Sequence, residues 1–308
     1  MVAHTLTPAD LRGDARRRRR EATVRWVLRG AAIASLAVSL AIVLALAGGA
    51  VRWLTGIDLG WLVADGWFPR RNDFDVFTIL AGTLIVAGIA IAVAAPLGLG
   101  AAIYLSELAT PGVRRRLKPV LEMLAGIPSV VLGYFALTVI QPTVVQDLFG
   151  ASNAFSLMAA GIGVGILTIP LVASISEDAM HAVPHALREA AYGIGARRRT
   201  VAMRVVVPAS VSGIVAALIL GLSRAIGETM VVAIAAGATG GALRTFNPLE
   251  RGQTMTGAIS SLAIGSDQVR GSGFAFDSLY FVGLLLFVIT FALNLMSERF
   301  VRRVRSQY

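Results

Sequence analysis

Two groups of residues have types and spacings that carry chemistry. The first is Arg224, Glu228 and Thr229, set inside a long apolar stretch. Four residues separate Arg224 from Glu228, so on a continuous helix both lie on one face. An Arg at the bilayer centre costs roughly 2.5–3.5 kcal/mol on insertion scales, and such a residue is expected to face a bundle interior or an aqueous cavity. A guanidinium placed there suits bidentate contact with an oxyanion. Glu228 would neutralise part of its charge and keep a bound anion from being held too tightly. Thr229 offers a further hydroxyl donor. The alternative is a structural Arg–Glu pair that locks helix packing, although an ion pair at mid-membrane is a poor source of stability.

The second group is Glu189, Ala190 and Ala191, then Gly195, then Val205, Val207 and Pro208, in a polar, Arg-rich loop. Residues 184–195 read as a short helix and a turn. The two alanines present little bulk, so a partner surface can approach closely. Gly195 permits the turn that redirects the chain. Glu189 is available to a basic group on a partner or among Arg197, Arg198 and Arg199. Pro208 is expected to open the next apolar span, where its missing N–H costs least. A push on this loop would then move the helix carrying Arg224 and Glu228.

The elements that position these residues are apolar spans. Of 308 residues, 56% are hydrophobic, and runs of about 20 apolar residues recur. Each is long enough to cross about 30 Å of hydrocarbon at about 1.5 Å per residue. Six spans are expected, near 27–48, 79–104, 119–141, 156–176, 210–236 and 278–297. Basic residues set their orientation. Arg16–Arg20 lie in the N-terminal tail, Arg114–Arg116 and Lys118 in the 105–118 loop, Arg197–Arg199 in the 177–208 loop, and Arg302 and Arg303 in the C-terminal tail. Loops 49–78, 142–155 and 237–277 carry no net positive charge. Both termini and the 177–208 loop are therefore expected in the cytoplasm. A competing reading takes the first apolar run, ending Ala45-Leu46-Ala47, as a cleaved signal peptide.

Gly213, Ala217, Gly221 and Ala225 recur every four residues, a stripe that lets another helix approach closely, within this chain or from another subunit. Pro96, Pro128 and Pro170 interrupt spans, which suits a pathway-forming bundle or plain kinks. The basic tail 1–25 is expected to be flexible and to lie near anionic membrane lipid or in solvent. The net charge of +10 is explained by topogenic loops, so nucleic acid is not expected as a partner. With no cysteine and three histidines, no thiolate or His-rich metal site is expected. No phosphate-binding Gly-rich loop of the Walker type occurs, and no nucleophile–base–orienter set. The chain is not expected to be an enzyme.

The Glu189–Pro208 pattern resembles the loop by which membrane subunits of ABC importers grip their ATPase, with Val205 and Val207 where Ile and Leu are usual. Residues 74–297 resemble the type I ABC importer permease fold, an all-α membrane protein of six transmembrane helices with cytoplasmic termini. Within it, the chain is similar to the phosphate-specific permeases. The resemblance rests on PLGLGAAIYLSE at 96–107, IPSVVLG at 127–133, SISEDAMHAVPHALREA at 174–190 and GLSRAIGETM at 221–230. The last, with its R-A-x-G-E-T element, is the most specific, and the layout resembles the PstC-type subunit more than its PstA-type partner. The expected domain plan is basic tail 1–25, which lies outside the resemblance, first helix and external loop 26–73, permease domain 74–297 with coupling loop 177–208, and basic tail 298–308. It implies a permease of an ATP-driven phosphate importer in a bacterial inner membrane. Its expected partners are a PstA-type permease, a cytoplasmic ATPase dimer that binds ATP and Mg, and an external phosphate-binding protein meeting loops 49–78 and 237–277. Arg224, Glu228 and Thr229 would line the pathway, and no cofactor would bind this chain. A molybdate or sulfate permease, an ion-coupled secondary transporter and a membrane scaffold for phosphate signalling are the competing readings.

Overall fold

The computed structural model describes residues 15–63, 65–237, 241–264 and 273–305. It is almost entirely helical. Helix α1 (Ala15–Gly56) starts inside the segment read as a flexible tail. Residues 1–14 of that tail lie outside the described residues. Helix α2 (Val76–Ile103) continues as a π-helical turn, Tyr104–Leu108. Helix α3 (Pro111–Ala125) and helix α4 (Ser129–Phe135) follow, and α4 runs on as π-helix through Gln146. Helix α5 spans Leu157–His181 and α6 His185–Gly193. Short helices α7 (Arg198–Val201) and α8 (Val207–Ala209) flank a π-turn, Ala202–Val206. Helix α9 is Val211–Ile226, α10 Met230–Ala235, α11 Met255–Ile264 and α12 Gly273–Arg305.

Among the described residues, five helices are long and apolar enough to cross a membrane, or six when the bent pair Arg198–Ala209 and Val211–Ile226 counts as one span. Four of the expected spans match α1, α2, α5 and α12. The third differs. Residues 111–125 form an amphipathic helix with no buried residue, and the apolar span begins only at Ser129. Pro128 causes the break: it disfavours helical backbone at Ile127 and cannot donate a hydrogen bond. The fifth expected span, 210–236, is also divided, into α9 and α10. Pro208 precedes a 70° bend at Ser210 and does not open α9.

The central pair is α2 and α5, which approach through glycines. A Cβ on Gly161 would lie 2.7 Å from Cβ of Ile89, and one on Gly165 would lie 2.8 Å from Cβ of Val93. Without a hydrophobic driving force between helices in lipid, such close backbone approach is what holds them. The main core joins α2, α4, α5, α9 and α10 around Val86, Leu132, Leu157, Val164 and Val231. Helices α1 and α12 pack together at one flank, where α1 leaves Ile33 and Leu36 uncovered, as suits contact with lipid.

One end of the bundle is closed by a small antiparallel sheet of β1 (Gly66–Phe68), β2 (Asp73–Phe74) and β3 (Ala242–Leu243), in the order β2-β1-β3. Asp75 ties it to α2. Its buried carboxylate accepts from the N–H of Phe77, capping the helix, and pairs with Arg244 at 2.8 Å. The segment after β3 does not stay outside the bundle, as an external loop would. Gln253, Thr254, Met255 and Thr256 are buried, and Gln253 packs its backbone directly on Gly82 of α2.

Candidate functional site: a broken span and its coupling loop

Helix α9 stops at Ile226, two residues before Glu228. Gly227 caps it, donating its N–H back to Ser223. Glu228 and Thr229 therefore sit in the break, and α10 restarts at Met230. The expected Arg224–Glu228 pair is not formed, because the helix that would align the two ends between them. Arg224 is exposed within this chain and makes no ion pair among the described residues. It lies about 20 Å along α9 from Val211, at about 1.5 Å per residue. Glu228 turns its carboxylate to the N–H of Val231 at 3.4 Å, at the start of α10. Thr229 is half-buried and directs its hydroxyl to the carbonyl of Gly227 at 3.3 Å. The guanidinium is thus left with its full charge, which favours an anion more strongly than a neutralised pair would.

The break is supported from two sides. Gly133 of α4 and Gly163 of α5 lie against Val231, so α10 seats closely on both helices. From the other side, Thr256 donates its hydroxyl to the main-chain carbonyl of Glu228 at 2.7 Å. Thr83 of α2 in turn accepts from the N–H of Met255 at 2.9 Å. Thr83, Thr254 and Thr256 were missed by sequence reasoning, which placed 237–277 outside the membrane. The available signal was the short apolar run at Met255–Ile264, about half a span in length.

The small-residue stripe of α9 has an intrachain role. Gly221 faces Thr168 and Val172 of α5, Gly213 faces Ala179, and Ala217 and Ala225 are buried. Arg224 is off that stripe, on the same exposed side as Leu220.

Residues of the 184–208 loop pack around one small core. Ala191 packs with Met180, Val183, Val201, Val206 and Ile214, while Val205 and Val207 cover the same core. Glu189 lies on the side of α6 opposite Ala191, and Ala190, Leu187 and Tyr192 are also exposed. Gly195 has φ +84°, a conformation that costs a residue with a Cβ roughly 1–2 kcal/mol. It closes α6 in a Schellman arrangement, in which Gly195 donates to the carbonyl of Tyr192 and Ala196 to that of Ala191. This turn leaves Ile194 87% exposed. Pro208 is exposed just before the bend into α9. The loop therefore offers an outward face with apolar Leu187, Tyr192 and Ile194, the carboxylate of Glu189 and the exposed Arg197–Arg199, backed by a small core that is continuous with the start of α9.

The phosphate transport system permease protein PstC of Mesorhizobium japonicum is 33% identical over 90% of this chain and 88% of its own length. A probable ABC transporter permease, YqgH of Bacillus subtilis, is 31% identical over 88% of each chain. Among solved structures, a chain of a bacterial alginate ABC transporter, in complex with an alginate pentasaccharide-bound periplasmic protein, aligns over 92% of this chain and 97% of its own. The TM-score is 0.61 at 16% identity, a likeness of fold alone. Residues 94–306 match the family described as binding-protein-dependent transport system inner membrane component. The chain belongs to that family of membrane permeases, and within it is similar to the phosphate transport permeases.

Proposed function

We propose that this chain is one of two permease subunits of an ATP-driven phosphate importer, with both termini and the α6 loop in the cytoplasm. Arg224 receives the anion at the break in the fifth span, with Glu228 and Thr229 beside it. Phosphate carries about −1.5 charge at neutral pH, by analogy with phosphate esters whose second pKa is near 6. One unneutralised guanidinium is a partial match, and a second positive group is expected from the other, PstA-type permease. An ATPase dimer, carrying its own ATP and Mg, engages the exposed face of α6 around Glu189 and Ala190. An external phosphate-binding protein delivers the anion at the end closed by the sheet. The observation that carries this reading is the Arg224 side chain, exposed and without an ion pair among the described residues, beside a helix break in a protein similar over most of its length to phosphate permeases. Radiolabelled phosphate uptake by the assembled transporter, challenged with excess sulfate and molybdate, tests it. Uptake that needs ATP and resists both competitors supports phosphate. Inhibition by either one reassigns the substrate.

A further inference from the structure

Glu189 faces outward, but its neighbour Arg188 turns into the bundle, and its contacts make a second connection between the coupling loop and the spans. The Arg188 side chain is 12% exposed. Its Nη1 donates to the carbonyl of Val183 at 2.6 Å, and its Nη2 to that of Met180 at 2.8 Å. Met180 is in the last turn of α5 and Val183 lies two residues past its end, where a cation is favoured. The same Nη2 donates to Oε1 of Glu107 at 2.9 Å. Glu107 is 7% exposed and sits in the π-helical turn that ends α2. The Ser106 hydroxyl donates to the same carboxylate oxygen at 2.9 Å. One guanidinium therefore joins the coupling helix to the ends of both central helices, α2 and α5.

A buried ion pair gives little net stability compared with apolar packing, but it holds one geometry and is costly to leave half-made. Residues 107 and 188 come from separate parts of the chain, and neither belongs to the apolar core behind α6. Helix α5 in turn holds α9 through Thr168 and Val172 against Gly221. A displacement of α6 can thus reach the Arg224 helix through α5 as well as along the chain through α8.

We infer that Glu107 is a positioning residue for energy coupling: by fixing Arg188, it makes α2 and α5 follow the coupling helix when the ATPase moves it. This rests on the reading of α6 as the ATPase docking element. The test uses the complete transporter, reconstituted in vesicles, and measures phosphate taken up per ATP hydrolysed. Glu107→Gln keeps the shape but removes the charge. Arg188→Lys keeps the charge but loses the planar fork whose two separate nitrogens reach these acceptors. Each is expected to lower the uptake-to-hydrolysis ratio by about tenfold or more, the scale of losing one hydrogen bond to a charged group. The ATPase should still co-purify and hydrolyse ATP. The double variant should be no worse than the more severe single one. An unchanged ratio in either single variant overturns the inference. So does a parallel loss of co-purified ATPase and uptake, which would make the pair an assembly contact. Ala190→Arg tests the underlying reading separately: if the ATPase co-purifies undiminished with it, the docking surface is elsewhere, whatever Glu107 does.

Discussion

Thr256→Val probes how the break in the fifth span is held. The exchange keeps nearly the same shape and volume, so it adds no cavity. What it removes is the hydroxyl that donates to the carbonyl of Glu228 at 2.7 Å and lies 3.1 Å from the Thr254 hydroxyl. Thr256 is buried, so the carbonyl of Glu228 loses its donor in a setting that water does not readily reach. Leaving a buried acceptor unpaired costs about 1–3 kcal/mol. At about 1.4 kcal/mol per decade, that shifts the local equilibrium of the break by roughly five- to 150-fold. The same cost should lower the melting temperature of the purified transporter by several degrees. The chain has no native cysteine, so a single cysteine at Thr229 can report the accessibility of the break to a thiol reagent. Thr256→Val is expected to raise the labelling rate and to lower phosphate uptake, while Thr256→Ser, which keeps the hydroxyl, restores both. Labelling, melting temperature and uptake all equal to wild type in Thr256→Val would refute the role given to this hydrogen bond.

Two other sites give sharp expectations. Gly195→Val forces a β-branched residue to φ +84°, at a cost of at least about 1–2 kcal/mol. Nothing lies within 4 Å of an added Cβ there, so the strain is in the backbone alone. Reduced ATPase co-purification, with the spans still inserted, is the outcome to look for in a pull-down. Within the spans, Gly165→Ala should destabilise, because its Cβ would sit 2.8 Å from Val93, and overpacking costs about 1–3 kcal/mol. Gly100→Ala meets nothing within 4 Å and should be neutral or stabilising, since Ala is favoured over Gly in a helix by about 1 kcal/mol. Thermal unfolding in detergent distinguishes the pair, and equal melting temperatures would count against the α2–α5 packing described above.

Hydropathy located α1, α2, α5 and α12 because each is a long run of apolar residues. It failed where a span is broken. Gly126-Ile127-Pro128 and Gly227-Glu228-Thr229 are too short to lower a span-length average, so 119–141 and 210–236 read as continuous. The local chemistry carried the warning: Pro128 restrains Ile127, and Gly, Glu and Thr in succession favour a helix end more than a helix middle. The segment Gln253–Thr256 looked external because its side chains are polar. Instead the Thr256 hydroxyl donates to the carbonyl of Glu228, 28 residues away, and the Met255 N–H donates to the Thr83 hydroxyl, 172 residues away. In the 184–208 loop the turn at Gly195 and the exposure of Glu189 were legible because they are local, but Ala191, expected at a partner surface, packs instead into a core built with residues of α5 and α9. The pairing of Arg188 with Glu107 was not legible, since no periodicity links residues 81 positions apart.

The account stands or falls on Arg224 as the anion-receiving group. Phosphate uptake should be compared for wild type and Arg224→Ala, in cells lacking other phosphate transporters, with the partner subunits co-expressed and membrane levels matched. A collapse of uptake in Arg224→Ala, with the ATPase still bound, is predicted. Normal uptake by that variant would contradict the site at the broken span.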